Sequence, residues 1–429
     1  MESPEPSSSD NETGGSSSVA PSPPRPIAPS ALHIPERILV RVPNWVGDAV
    51  MALPALRELR RIFASSHITL AARPWVAGLF EGEGLADSFL HVLDNGGFFT
   101  RARSFISDAR RLRRERFDYA VLLPNSFGSA LAARAGGAKT IAGYATDVRR
   151  PLLDDVISFE PDHKTLHQVR YYLTIAAQIE TRLTGASCVD FEHIEPRLCV
   201  SEEAKQQALL MIEGFAGKSV AADGKPLVAR RPPPDRPPVD ETEAQGNEVN
   251  PTDHWPLTTD HWPILAINPG ATNSTAKRWP AERFAEAADR LSKDAGFQTV
   301  IVGTEGDREV AEVVAALMRT PAVVLAGKTS IAEVKGVLSC ARLVVSNDTG
   351  AAHVSAALGI PTVVVFGPTE HVATRPLSEG AAVVRHDVEC SPCMLRERPI
   401  DHRCMTGVGV DDVCKAALRL LEDAAIPGL

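Results

Sequence analysis

Short apolar runs alternate with amphipathic helical patterns twice along this chain, and a long polar stretch separates the two series. This alternation constrains the fold more than any other feature. Apolar runs without a polar alternate face must be covered on both sides, as in a parallel sheet flanked by helices. In the first series the runs lie at 38–42, 68–71 and 119–123, with helical patterns at 55–63 and 105–116. In the second they lie at 264–267, 299–302, 323–325, 343–345 and 362–366. Helical patterns at 281–293, 308–318, 331–338 and 411–421 place apolar residues three and four apart. The expected fold class is α/β, with two doubly wound lobes facing a cleft. Ligands are expected at the C-terminal ends of the strands.

Composition narrows the function classes. A formal charge of −9 over 429 residues opposes general nucleic-acid binding, which needs a basic surface. No apolar run approaches the length of a membrane span. The N-terminus is acidic and rich in Ser and Pro, without the apolar core of a secretory signal, so the expected compartment is the cytoplasm. There the seven cysteines read as thiols or metal ligands sooner than disulfides. Low-complexity composition predicts a disordered tail over 1–35 and a disordered linker over 217–260. The latter holds a short duplication, Thr252-Asp253-His254-Trp255-Pro256 and Thr259-Asp260-His261-Trp262-Pro263. The expected lobes are therefore 36–216 and 261–429.

Four segments carry candidate chemistry. Ser346-Asn347-Asp348-Thr349-Gly350-Ala351-Ala352-His353 lies between an apolar strand and a small-residue helix, a junction that points backbone N–H groups at an anion. His353 follows Asp348 and Thr349 by one helical turn and shares their face. Gly367-Pro368-Thr369 ends the next strand and can line the same pocket. Asn268 to Pro280 is a polar loop above the sheet in which Lys277 brings a point charge suited to phosphate, although it lacks the Gly-Lys-Ser/Thr ending of a Walker loop. Glu305 and Asp307 end another strand, where an acidic side chain can bond a ribose and Asp307 is equally suited to cap a helix. In the first series, Pro43-Asn44-Trp45-Val46-Gly47-Asp48 follows the first strand. Asp48 reads either as a helix cap or as a general base toward a sugar hydroxyl.

Two further segments have plainer readings. Cys390-Ser391-Pro392-Cys393 with His402 and Cys404 has zinc-like spacing but only one Cys-x-x-Cys pair, and no metal is expected there. Arginines crowd 101–116, as a solvated helix face or as a contact for an anionic acceptor or lipid surface.

Together, Trp45-Val46-Gly47-Asp48, Pro269 to Pro280 and Ser346 to His353 resemble the ADP-heptose:lipopolysaccharide heptosyltransferases of glycosyltransferase family 9. Leu123-Pro124-Asn125-Ser126-Phe127 is more similar to the heptosyltransferase II branch of that family than to heptosyltransferase I. The resemblance covers about 37–421. It implies GT-B architecture, two Rossmann-like lobes with the donor in the C-terminal one. It also implies inverting transfer without a cofactor or a required divalent metal. Matching positions imply Asp48 as base, with Thr272, Lys277, Asp307, Asp348, Thr349, Gly350 and His353 around the ADP part. Asn44, Asn125 and Ser126 are the candidate acceptor contacts. The implied partners are ADP-heptose, the lipopolysaccharide core and, peripherally, the inner face of the cytoplasmic membrane. Arg398, where relatives often carry a cysteine, weakens any metal role for the cysteine segment. The residues leave open a GT-B epimerase or a non-catalytic nucleotide-sugar binder.

Overall fold

The computed structural model describes residues 34–92, 98–163, 165–216, 263–272, 274–397 and 401–424, and the side chains of 98–103 fall outside that set. The expected tail over 1–35, apart from Ile34 and Pro35, lies outside the described residues, and so do the expected linker over 217–260 and the duplicated motif.

The first sheet contains β1 (Arg37–Arg41), β2 (His67–Ala72), β3 (Ser88–His91), β4 (Tyr119–Leu122), β5 (Thr140–Tyr144) and β6 (Asp155–Ile157). The second contains β7 (Ile264–Asn268), β8 (Gln298–Ile301), β9 (Ala322–Val324), β10 (Ala341–Asn347), β11 (Thr362–Phe366) and β12 (Ala381–Arg385). The spatial orders are β3-β2-β1-β4-β5-β6 and β12-β11-β10-β7-β8-β9. Each is the same doubly wound order, read from opposite edges. Every recorded pair is parallel; β1 registers Ile38 with Ile68 on one side and with Tyr119 on the other. The order reverses between β1 and β4, and again between β7 and β10. Helices leave in opposite directions at those points, opening a crevice beyond the strand ends.

The eight runs read from the sequence are all strands, because each is mostly apolar; seven lie inside a sheet, and β9, at an edge, is covered by the helix Glu202–Ala216. Four further strands escaped that reading. β3, β6 and β12 are short edge strands with partly exposed, mixed side chains. β5 carries Gly143, where a side chain would sit 3.3 Å from the Arg149 guanidinium. The helices at Leu53–Ile62, Ala281–Ala295, Arg308–Leu317, Ile331–Ser339 and Val410–Ala424 bury their apolar stripes as the periodicity requires.

One helix departs from the partition read from sequence. Glu202–Ala216 packs on Ile331–Ser339 and β9 of the second sheet. A side chain at Gly336 would lie 3.1 Å from the Ala204 carbonyl, so these helices nearly touch backbones. The chain therefore crosses to the second sheet before Glu202. Composition does not signal the crossing, since the helix itself is unbroken.

The two sheets are joined by buried polar contacts. Lys335 Nζ donates to the carbonyls of Leu79 (3.1 Å) and Glu81 (3.2 Å) and pairs with Glu83 Oε1 at 2.8 Å. Both side chains are almost wholly buried. Glu83 also accepts from the Cys199 N–H. Removing one partner of such a pair strands the other charge. Lys335→Ala should therefore lower the unfolding free energy by about 2–3 kcal/mol, the lower end because Arg57 remains 3.6 Å from Glu83. A urea denaturation midpoint equal to wild type would refute that assignment.

Candidate functional site

The two reversal points face each other across the seam between the sheets. From the first sheet comes the helix Val46–Met51, which follows β1 and carries Asp48 in its first turn. From the second comes Gly350–Ala357, which follows β10. Their backbones approach closely because of two glycines. A side chain at Gly350 would fall 2.7 Å from Val46 Cβ, and one at Gly47 would fall 3.0 Å from the His353 ring. Gly350, read from sequence as a donor contact, thus also sets the closeness of the seam.

Asp48 is partly buried in this seam, and burial lifts its pKa to about 6. Lys277, reaching across from the second sheet, and a hydrogen bond from the Tyr172 hydroxyl oppose that rise, while the charge of Asp348 adds to it. The Tyr172 phenol is held well above its ordinary pKa by burial and by Asp48. At neutral pH Asp48 is therefore mostly ionised, yet basic enough to accept a proton. Tyr172 was not singled out from the sequence. It lies on the buried stripe of Gln168–Thr184, where its polar tip looks like any core tyrosine.

On the second sheet Lys277 Nζ pairs with Asp348 Oδ2 at 2.7 Å, and Thr369 Oγ1 donates to the same oxygen at 2.7 Å. Lys277, Asp348, Thr349 and Thr369 therefore form one cluster. The Thr349 hydroxyl lies 3.2 Å from Asn268 Nδ2 and 3.1 Å from Ser346 Oγ. Thr349 is the N-cap of Gly350–Ala357, and its side chain makes no capping bond, so the first N–H groups of the helix stay unpaired by it. His353 is buried one turn in, and burial depresses its pKa to about 4. The imidazole is neutral at pH 7. In that form it can offer an N–H donor to a ligand.

The loop between β7 and the helix Ala281–Ala295 is clamped by residues distant in sequence. Asn347 accepts from the Trp279 N–H (3.0 Å) and donates to the carbonyls of Pro269 (2.9 Å) and Gly270 (3.1 Å). Asp307 is buried beneath the same loop. Its Oδ1 accepts from the Ala271 N–H (3.1 Å) and Arg278 Nη2 (3.3 Å), and its Oδ2 accepts from the Thr304 N–H (3.1 Å) and Thr304 Oγ1 (2.7 Å). Thr272 Oγ1 lies 3.3 Å from Asp307 Oδ2. A side chain at Gly270 would collide with the Asp307 carboxyl at 2.2 Å. The carboxylate is thus taken up in shaping the loop. As N-cap of the helix Arg308–Leu317 Asp307 makes no side-chain capping bond; its carboxylate instead completes a capping box with Thr304 one turn earlier.

The candidate acceptor residues are likewise engaged by their own chain. Asn44 Oδ1 accepts from Arg41 and, at 3.3 Å, from Arg73 Nε. Asn125 Oδ1 accepts from the Tyr171 hydroxyl and from Arg149 Nη2. Ser126 caps the helix Phe127–Ala135. Buried Arg149 holds this loop through the carbonyls of Tyr144 and Pro124. These residues order the rim of the first sheet, and the two loops they order face the seam.

Among the described residues no group of three or more His, Cys, Asp or Glu side chains is arranged to hold a metal. Nor is any described helix long and apolar enough to cross a membrane.

Comparison with known proteins bears on the family and the fold. The family model for glycosyltransferase family 9 (heptosyltransferase) matches residues 106–403. The lipopolysaccharide heptosyltransferase 2 of Escherichia coli K12 is 28% identical over 354 residues, spanning 81% of this chain and 88% of that protein. The lipooligosaccharide heptosyltransferase 2 of Haemophilus influenzae is 26% identical over 353 residues, with coverage of 81% and 88%. The solved structure of E. coli ADP-heptose LPS heptosyltransferase II superposes with a TM-score of 0.68 at 24% identity, covering 91% of this chain and all of that one. At that identity the superposition speaks for the fold alone, a two-lobed GT-B arrangement.

Proposed function

The chain belongs to glycosyltransferase family 9, and from that membership we propose that it moves a heptose, with inversion, from ADP-heptose to the inner core of lipopolysaccharide (a lipid A–Kdo–heptose acceptor). The observation that carries this reading is the seam itself. A carboxylate with its pKa raised to about 6 stands at the reversal point of one sheet, and a Lys277–Asp348 pair stands opposite it at the other.

The acceptor lies on the first lobe and the donor on the second. The acceptor hydroxyl oxygen attacks the anomeric carbon and forms the new glycosidic bond. Its proton passes to Asp48. The bond from the anomeric carbon to the diphosphate oxygen breaks from the opposite face, and ADP departs with that electron pair. The growing negative charge is met by Lys277, the first N–H groups of Gly350–Ala357 and the neutral His353 imidazole. Asp348 and Thr369 fix the ammonium, and Thr272 with Asp307 shapes the loop beside it. Positioning by the two lobes supplies much of the rate.

The first lobe also carries a surface suited to the membrane that holds such an acceptor. Arg110, Arg111, Arg113, Arg114 and Arg116 are exposed around the helix Phe98–Glu115, with Ile106 among them. Each basic residue near an anionic lipid surface contributes about 1 kcal/mol. One experiment tests both parts: incubation with ADP-heptose and vesicles that carry the acceptor and anionic lipid. Heptose should appear in the lipid fraction, and the protein should sediment with anionic but not neutral vesicles. No incorporation sinks the transfer reading; equal sedimentation sinks the membrane reading.

A further inference from the structure

We propose that Trp45 and Trp75 form a sugar-stacking platform that seats the acceptor ring beside Asp48. Three tryptophans lie among the described residues, and only Trp279 is buried in a core. Trp45 and Trp75 are 54% and 45% exposed. Both stand at the C-terminal edge of the first sheet, Trp45 in the loop after β1 and Trp75 in the short helix Pro74–Ala77 after β2, at the end where the reversal point lies. An exposed indole gives up the stabilisation of burial, so two at one rim call for a ligand.

The orientation of Trp75 is built, not loose. The Trp75 indole N–H donates to the Asn44 carbonyl at 3.1 Å. The Arg73 guanidinium stacks on the Trp75 ring with its carbon 5.3 Å from the centroid. Arg73 in turn donates to Asn44 Oδ1. Trp45 follows Asn44 directly and is the N-cap of Val46–Met51. Asn44, expected from sequence to touch the acceptor, is thus the bracket that holds one indole and immediately precedes the other. Trp45 and Asp48 are the N-cap and the third residue of the same helix terminus.

The chemistry selects the occupant. An indole face is broad, apolar and electron-rich, and the polar edge of Trp75 is already bonded to protein. A pyranose ring offers a face of polarised C–H groups and a rim of hydroxyls. Laid on the indoles, it keeps its hydroxyls free at the edge where the carboxylate waits. The inference rests on the acceptor being a sugar of the lipopolysaccharide core, and it adds which residues seat that sugar.

The test uses the full chain with a soluble core oligosaccharide. Trp45→Leu and Trp75→Leu should each raise the acceptor KM about 5- to 10-fold, with ADP affinity by calorimetry unchanged. Trp45→Phe, which keeps an aromatic face, should recover most of the loss. Without donor, the oligosaccharide should quench wild-type tryptophan fluorescence, and the response should shrink in either variant. Unchanged acceptor KM in both Leu variants, or a fluorescence response they leave intact, overturns the platform. Wild-type protein that transfers no heptose but shows indole quenching refutes the transfer reading and leaves the platform standing.

Discussion

Asp48→Asn is expected to lower kcat about 10³-fold while leaving ADP affinity within about twofold, because the carboxylate acts on the acceptor proton and the donor groups lie on the other lobe. Asparagine keeps the size and polarity of the side chain but takes no proton. In the wild type, kcat/KM should rise with pH through a limb near 6, the pKa to which burial lifts this group. In the variant that limb should vanish. Stability should move the other way. The folded-state pKa exceeds the ordinary carboxyl value of 3.8, so the folded form holds more protons between about pH 4 and pH 6. Stability from this group is present below that window and lost as pH rises through it. At pH 7 the variant should be more stable than wild type by about 1–2 kcal/mol, a value discounted for partial exposure, and the advantage should disappear by about pH 4. Retained turnover, or a surviving limb near pH 6, removes Asp48 from the proton transfer. A thermal midpoint that falls at pH 7 contradicts the seam as described.

Lys277→Met should reduce kcat/KM for the donor about 10²- to 10³-fold, the range found when a group that stabilises transition-state charge is deleted. Methionine fills similar space without charge. Direct ADP titration should show part of the loss, because the ammonium meets the diphosphate in the ground state too. A second readout separates this from simple disruption. Lys277 opposes the rise of the Asp48 pKa, so its removal should shift the acidic limb of the rate profile above 6. Lys277 also helps to depress the pKa of His353, so that imidazole should become easier to protonate in the variant. A merely loosened loop would expose Asp48 to water and move its limb downward. Unchanged ADP affinity together with an unmoved limb would place the diphosphate elsewhere.

Much of this molecule was legible from local pattern. Seven internal strands and the edge strand β9 announce themselves as apolar runs, because a strand covered on both faces is mostly apolar. Edge strands β3, β6 and β12 do not, since one side of each meets solvent and loops, and mixed composition is allowed there. The helix Glu202–Ala216 shows a different limit. Its periodicity predicts a helix, but which sheet it covers depends on the Gly336–Ala204 approach, far away in sequence.

The site divides along the same line. Spacing alone brings Asp48, Lys277 and the run from Asp348 to His353 to strand ends, and the doubly wound order turns strand ends into one crevice. The chemical state of those groups is a property of the assembled lobes. Asp48 is lifted by burial in the seam and restrained by Lys277 from the other sheet; His353 is neutral because it is buried there. Asp307, Asn44, Asn125 and Ser126 are candidate ligand contacts in sequence because they are polar and sit in the right loops. In space their oxygens also bond within the protein, as with Asp307 and the Ala271 N–H or Asn125 and the Tyr171 hydroxyl. Sequence determined the elements and the ends at which polar residues gather, since burial and backbone periodicity act over a few neighbouring residues. Only the tertiary structure decided which polar atoms stay available to a ligand, since bond direction and desolvation depend on groups that the chain brings together from tens to hundreds of residues away.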